Sequence, residues 1–416
     1  MIQSALDRFK TWTGNTPSWA WWVPGRIEVF GKHTDYAGGR SLVAAVPRGI
    51  VSVGAPRPDP RVRVLDANRD VLADIEVQPD ERPHAGWANY VAVVVQRLTR
   101  NFPATSLGVD LLLLSDLPRA AGLSSSAALV VAIGLALIER GSLTERPEYR
   151  AAITDQIALA GYLAAVETGQ GFGPLAVASG AGAHGGSEDH TAILNAKPGH
   201  VSAYRYVPVR HIGDALVSAG WRFVIAASGV SAEKTGNARD RYNRASLMTR
   251  TLLSLWNERR PHAPTLADAL ASAPDAAAAL RDRIADEPNA SDLSTRLAHF
   301  IAEDGRVPEA LEAFAQTDAA RLSSLSADSQ ADADHLLGNQ IEETRTLARL
   351  ARDNGAFAAS SFGAGFGGSV WALVHADDAE RFRREWVRAY ETAYPAHGQI
   401  EAFVTRGGPP CVKLKA

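Results

Sequence analysis

Cysteine is almost missing from this sequence: Cys411 is the single one in 416 residues. An internal disulfide and a cysteine-ligated metal site are therefore excluded, and the usage fits a reducing cytoplasm. Excess charge of one sign is missing too. Lys and Arg total 43 against 46 Asp and Glu, a net charge of −3, with no basic tail or arm. Binding to nucleic acid draws on clustered cations, so no nucleic-acid partner is expected. Long hydrophobic runs are absent as well: Val109 to Leu114 has Asp110 inside it and is far too short to cross a bilayer. The opening MIQSALDRFKTWTG spreads charges through a short amphipathic pattern, unlike the apolar core of a signal peptide. No internal repeat or heptad appears. These absences point to a soluble, cytoplasmic chain without a membrane partner.

What is present is ordinary globular composition, 46% apolar and 21% charged, with length for two or three domains. Short segments bounded by Pro, Asp, Asn or Gly read as strands: Ala20 to Phe30, Ser41 to Val46, Ile50 to Ala55, Arg61 to Leu65 and Val71 to Val77. Gly108 to Leu114 reads as a strand buried on both faces. Helical spacing marks the first dozen residues, Trp87 to Leu98, Ser124 to Arg140 and Ala151 to Glu167. Seven of the eighteen positions from Gly169 to Gly186 are glycine, which predicts a loop. After a strand at His200 to Val207 the character changes. A strand at Trp221 to Ala227 precedes a mostly helical stretch from Ala232 to about Asp353. Strands at Ala356 to Ser361 and Ser369 to Val374, a helix from Asp377 to Tyr390 and a strand near Ile400 to Val404 follow. The expectation is an α+β protein of two domains, residues 1–210 and 211–416.

Three segments carry chemistry. Pro118 to Leu137 (PRAAGLSSSAALVVAIGLAL) sets small residues directly before an apolar helix. Small residues let a backbone approach a ligand, and the first N–H groups of a helix have no internal partner. With the helix dipole they form an anion site, to which Ser124, Ser125 and Ser126 add hydroxyl donors or a metal ligand. A plain N-capped helix after a tight turn leaves the same trace. Phe362 to Gly368 (FGAGFGG) has GxGxxG spacing but lies between strands, whereas the dinucleotide fingerprint needs a following helix. No GxxxxGK[ST] is present, so a Walker-type site is excluded. Pro24 to Gly39 (PGRIEVFGKHTDYAGG) gathers Arg26, Lys32, His33, Asp35 and Tyr36 among glycines. Glycine-punctuated loops beside a strand hold polar groups toward a ligand, or simply form a charged surface turn.

Together these segments resemble the GHMP kinase superfamily and, within it, the galactokinase type. Gly25 to Gly39 (GRIEVFGKHTDYAGG) is similar to the signature GRxNxIGEHTDYxGG, PRAAGLSSSAA to the phosphate loop PxxxGLSSSAA, and FGAGFGG to the glycine loop TGAGFGG. WANYV, opening at Trp87, is similar to a segment near the adenine. The motifs stand in the family's order over nearly the whole chain. The resemblance implies a two-domain GHMP kinase fold, with an N-terminal α+β domain, a ferredoxin-like C-terminal domain and the active site between them. It implies transfer of the γ-phosphoryl group of ATP, with Mg²⁺, to a sugar hydroxyl, the anomeric one of galactose. The partners are then a small-molecule sugar and ATP.

The resemblance also implies roles. Gly185 to His190 (GGSEDH) stands where the family carries CGIMDQ or GGWQDQ, which makes Asp189 the catalytic carboxylate and puts His190 in place of the usual glutamine. Arg26 would hold Asp189 ionised and steady the transferring group, in a reaction that depends on positioning and charge. His33, Asp35, Gly186 and Tyr242 would line the sugar site. Trp87, Gly122, Leu123, Ser124, Ser125, Ser126 and Gly365 would meet the nucleotide, and Ser126 and Glu167 the metal ion. Two positions depart from the pattern. Glu28 replaces an asparagine, and Lys32 replaces a glutamate that meets the outer hydroxyl of the sugar. An inward Lys32 would pair with a carboxylate or phosphate. That makes a kinase for another sugar, such as a uronic acid or a heptose, one alternative, and a catalytically silent sugar sensor the other.

Overall fold

The computed structural model describes residues 1–78, 84–118, 121–231 and 236–415. In chain order its strands are β1 (Trp19–Phe30), β2 (Arg40–Pro56), β3 (Arg61–Asp66), β4 (Val71–Glu76), β5 (Val109–Ser115), β6 (His200–Arg205), β7 (Arg210–Leu216), β8 (Trp221–Ala227), β9 (Ala358–Ser361), β10 (Ser369–His375), β11 (Ala402–Thr405) and β12 (Val412–Leu414). Its helices are α1 (Ile2–Thr13), α2 (Ala88–Asn101), α3 (Ser125–Arg140), α4 (Pro147–Ala152), α5 (Gln156–Thr168), α6 (Glu188–Asn195), α7 (Gly236–Asn257), α8 (Leu266–Ala271), α9 (Ala276–Ile284), α10 (Ala290–Gln316), α11 (Ala319–His335), α12 (Glu342–Asp353) and α13 (Ala379–Ala393).

The first sheet runs β12-β1-β2-β5-β3-β4, with β6 and then β7 attached beside β2. Two segments expected as separate strands are one long strand, β2. Its first part pairs with β6 and its second with β5, while β1 pairs along both. Pro47 lies between these stretches without a ladder partner, next to the irregularity in β1 at Pro24/Arg26, so its missing N–H does not break the strand. The expected strand to Val207 is instead the hairpin β6–β7, and the last strand, β12, returns to the first sheet; neither β7 nor β12 has a strong sequence signal. The expected helix from Ala151 divides, because Asp155 caps α5 by accepting the Ala158 N–H at 2.7 Å.

The second sheet runs β11-β8-β10-β9, antiparallel throughout. With helices between β8 and β9 and α13 between β10 and β11, this is the ferredoxin-like arrangement. One face packs Val224, Ala226, Val370 and Ala372 against Leu347, Trp386 and Tyr390 of α12 and α13. The other turns Phe223, Ile225, Trp371 and Leu373 into the core of the first sheet, where Trp371 meets Phe30 with ring centroids 6.0 Å apart. Both sheets therefore share one apolar core. The chain passes from the first to the second between Leu216 and Trp221.

Helix α3 fixes the site. Its residues are apolar all round (ALVVAIGLALI), and Ala127, Ala128, Val130 to Gly134 and Leu135 to Ile138 are buried. It lies against β1, β2, α2, α5 and α6. A fully buried Val, Leu or Ile side chain contributes about 1.5–3 kcal/mol, so a helix this enclosed holds its N-terminus rigidly.

Candidate active site

Arg26, on β1, is the hub of a cleft between the sheets, and it is only 4% exposed. Its Nε donates to Asp189 Oδ1 at 2.8 Å, Nη2 lies 2.5 Å from the same oxygen, and Nη1 donates to the Gly122 carbonyl at 2.7 Å. Asp189 sits in the first turn of α6, an element the motif reading did not anticipate, where the helix dipole favours a carboxylate. One guanidinium thus ties β1, the loop before α3 and α6 together. Burial works against its charge, but Asp189, Glu188 and Glu28 raise its pKa above the ordinary arginine value.

The cleft wall holds Glu28, His33, Asp35, Glu167, Gly186, Glu188, Asp189, His190, Tyr242 and Gly363 along with Arg26. Asp35 accepts the Tyr36 N–H at 2.8 Å and the Glu188 N–H at 3.1 Å. Gly186 is dictated by space: a Cβ there would lie 2.3 Å from Asp35 Oδ2. Tyr242 packs on His33 with centroids 5.1 Å apart, and burial raises its hydroxyl well above the usual phenol range. Glu167 Oε2 stands 3.1 Å from His190 Nε2.

Two acidic groups were not assigned a role on sequence. Glu28 and Glu188 are 3% and 4% exposed and lie together beside Arg26, whose Nε is 3.5 Å from Glu188 Oε1. Glu28 also accepts the Gly363 N–H at 2.8 Å. Burial raises the Glu28 carboxyl against the opposing charges of Arg26 and Lys32. Burial raises Glu188 further, reinforced by Glu28 and opposed by Arg26. The pair titrates jointly and holds a proton more tightly than free glutamates do. The signal was present in the acidic Glu-Asp opening of α6 and the change at Glu28, but only the fold brings the two together.

The phosphate-loop residues gather next to the cleft. The Leu123 carbonyl accepts the Arg26 N–H at 3.2 Å, and Ser369 Oγ donates to the Ala121 carbonyl at 2.5 Å. A Cβ on Gly363 would lie 3.1 Å from the Gly122 carbonyl, so the two glycine loops are in contact. Gly365, at φ 80°, packs so closely on Asn339 that a Cβ would lie 2.5 Å away. Ser124 is left-handed at φ 61°, and its buried hydroxyl has no hydrogen-bond partner among the described residues. Ser126 is half-buried and Ser125 exposed in the first turn of α3. Trp87 stands at the start of α2, partly buried against the first core and outside the cleft wall.

Lys32 corrects an expectation. It does not line the cleft but is fully buried in the contact between the sheets. Nζ donates to Ser329 Oγ at 2.5 Å on α11 and to Ser360 Oγ at 3.0 Å on β9, and lies 3.8 Å from Glu303 Oε1 on α10. Positive φ values at Gly31 and His33 bracket Lys32, and His33 and Asp35 face the cleft while Lys32 faces away. A substrate at the cleft does not meet this ammonium.

Known proteins resemble this chain in sequence and fold. Residues 89–161 match the GHMP kinases N-terminal domain, 310–392 the GHMP kinases C-terminal region, and 7–56 the galactokinase galactose-binding signature. A galactokinase of Roseiflexus sp. is 28% identical over 93% of this chain and 91% of its own. One of Exiguobacterium sibiricum is 29% identical over 95% of each chain. The crystal structure of Lactococcus lactis galactokinase complexed with galactose superposes with a TM-score of 0.82 at 24% identity, covering 99% of this chain and 100% of that one. The chain belongs to the GHMP kinase superfamily. Within it the chain is of the galactokinase type, an ATP-dependent phosphotransferase whose acceptor is an alcohol group of a sugar.

Proposed function

We propose that the acceptor is galactose and the group phosphorylated its anomeric hydroxyl. The observation that carries this reading is the Arg26–Asp189 pair, set in a cleft walled by His33, Asp35, Gly186 and Tyr242. The Lactococcus relative, crystallised with galactose, supports the choice of sugar. The burial of Lys32 removes the motive for a uronic acid, and the Asp35 carboxylate on the cleft wall would repel one.

In this reading Asp189 orients the acceptor hydroxyl and takes its proton, held in place by Arg26, which also steadies charge on the moving phosphoryl group. Asp35, which accepts hydrogen bonds, and His33 position the sugar. The N–H groups at the start of α3 and the unsatisfied hydroxyl of Ser124 receive phosphate oxygens. Mg²⁺ uses one or two protein oxygens alongside substrate phosphates. Ser126 and the buried Glu167 carboxylate supply donors of that kind and would hold it. Among the described residues no group of three or more His, Cys, Asp or Glu could hold a metal by itself. Bound there, the ion would spread charge over the phosphate oxygens. A division of the chain into domains at about residue 210 remains part of this proposal, and the change of sheet at Leu216 to Trp221 supports a boundary slightly later. Among the described residues no helix is long and apolar enough to cross a membrane.

The test is ATP turnover against a panel of galactose, galacturonate, glucose and a heptose. Galactose is expected to be phosphorylated fastest, and Asp189→Asn to lose at least about a thousandfold in kcat while still binding ATP. Preference for galacturonate, or an Asp189→Asn enzyme with near-normal kcat, would overturn the reading.

A further inference from the structure

Arg296, on α10, is a fully buried arginine that no carboxylate pairs with among the described residues. A buried cation held only by neutral acceptors is costly unless those contacts matter. Its Nε donates to the Ala245 carbonyl at 3.2 Å and its Nη1 lies 3.0 Å from His299 Nδ1. Its Nη2 donates to the His33 carbonyl at 2.5 Å and to the Tyr36 hydroxyl at 3.1 Å. Both of the last two acceptors belong to the loop that walls the cleft. His33 is itself in a left-handed backbone at φ 59°, a conformation that a residue with a side chain keeps only when its surroundings hold it there.

The hydrogen bonds run in one direction. An arginine can only donate, so the Tyr36 oxygen accepts from Arg296 and is left to donate its own proton. That proton meets His33 Nδ1, 3.0 Å away. Nδ1 is then the acceptor, and the neutral ring carries its proton on Nε2. Nε2 stands 3.2 Å from the Ala364 carbonyl, which only accepts, with the Asn339 amide nitrogen further off at 3.5 Å. The ring therefore donates its Nε2–H to the Ala364 carbonyl, and this bond sets how the imidazole stands in the cleft wall.

We propose that Arg296 is a positioning residue for the sugar kinase reaction: it clamps the strained backbone of His33 and, through the Tyr36 hydroxyl, sets the Nε2–H tautomer that ties the ring to the Ala364 carbonyl on the cleft wall. The inference rests on the reading of the His33 loop as the sugar site. Other groups of α10 brace the same loop. Glu303 accepts the N–H groups of Gly31 and Lys32 at 2.9 and 3.2 Å, and Asp304 accepts the Arg40 N–H at 2.7 Å. Arg296 is linked to the His33 ring through the Tyr36 hydroxyl. Among the described residues, none at the start of α3 hydrogen-bonds Arg296 or the Tyr36 hydroxyl.

Arg296→Lys, which keeps the charge but loses the fork, and Tyr36→Phe, which removes only the relay, separate the roles. Both are expected to raise the sugar KM about tenfold, the loss of one well-made hydrogen bond, while the KM for ATP stays within about twofold. Imidazole ¹⁵N–¹H correlation on the full chain is expected to show His33 protonated at Nε2 in the wild type and a mixture of tautomers in Tyr36→Phe. If Arg296→Lys fails to fold, Tyr36→Phe decides. An unchanged sugar KM, or equal rises in both KM values, overturns the proposal; so does an Nδ1–H wild-type ring, whatever sugar proves to be the substrate. A wild type silent on galactose would count against the choice of sugar alone, because the tautomer is read without turnover.

Discussion

Glu188 shows how a single carboxyl in this cleft links function to stability. Its folded pKa is raised by burial first and by Glu28, Asp35 and Asp189 in support, against Arg26. A raised pKa means that the folded state binds the proton more tightly than the unfolded chain. The stabilisation is therefore complete below the unfolded glutamate value of about 4.5 and is lost as pH climbs from there through the folded pKa. Across that window each pH unit costs up to about 1.4 kcal/mol. Glu188→Gln, which cannot ionise, is expected to be more stable than the wild type at pH 8 and to lose that advantage toward pH 5. Thermal melts of both proteins over this range check it, and parallel Tm curves would count against the buried carboxyl pair.

At the scale of the element, the start of α3 carries a serine whose side chain does not serve the helix. Ser124 precedes the helix, yet its side chain makes no capping bond, and at φ 61° it occupies a region that disfavours side chains. The usual loss of about 1 kcal/mol on removing a cap is not expected here. Ser124→Gly should raise stability by about 1 kcal/mol by relieving the left-handed strain and should weaken use of Mg·ATP, with the KM for ATP rising several-fold. Denaturant midpoints and the two KM values separate these effects. A drop in stability with unchanged nucleotide KM would make Ser124 an ordinary helix-start residue.

Across the whole molecule, the sheets are joined by the apolar seam of Phe30, Trp371 and Phe223 and by the polar cluster around Lys32. Burial lowers the lysine's pKa, and Glu303 and Glu28 oppose it. Burial alone would raise Glu303, but Lys32, Arg306 and the Gly31 N–H hold it down at about 2. A depressed carboxyl pKa contributes stability that is present above about 4.5 and lost as pH falls toward 2. Lys32→Met removes one partner and leaves Glu303 less compensated, so a loss of roughly 3 kcal/mol is expected, with acid unfolding moved to higher pH. Because Lys32 lies outside the cleft, the ranking of sugars should not change. Acid titration followed by circular dichroism, with the sugar panel on the same variant, tests both outcomes.

The chain's order of motifs was sufficient by itself to indicate a sugar kinase of this superfamily. GRIEVFGKHTDYAGG, GLSSSAA and FGAGFGG are local patterns whose glycines and hydroxyls mean much the same wherever they stand, and the long α3 is plain from its unbroken apolar run. Other features depend on partners far along the chain. Whether Lys32 faced sugar or solvent was undecidable locally, because its place depends on Glu303, Ser329 and Ser360, contributed by three later elements. Arg296 reads as one more helix arginine until folding sets it behind His33, 263 positions earlier. The same holds for β7 and β12, weak strands that form because an edge of the first sheet is there to receive them. The approach of Glu28 to Glu188 was likewise settled only by folding, since no local pattern joins residues that meet when α6 packs on β1. Short-range propensity and spacing carry a motif, but the direction of a buried side chain is set by whatever polar group the tertiary structure places opposite it.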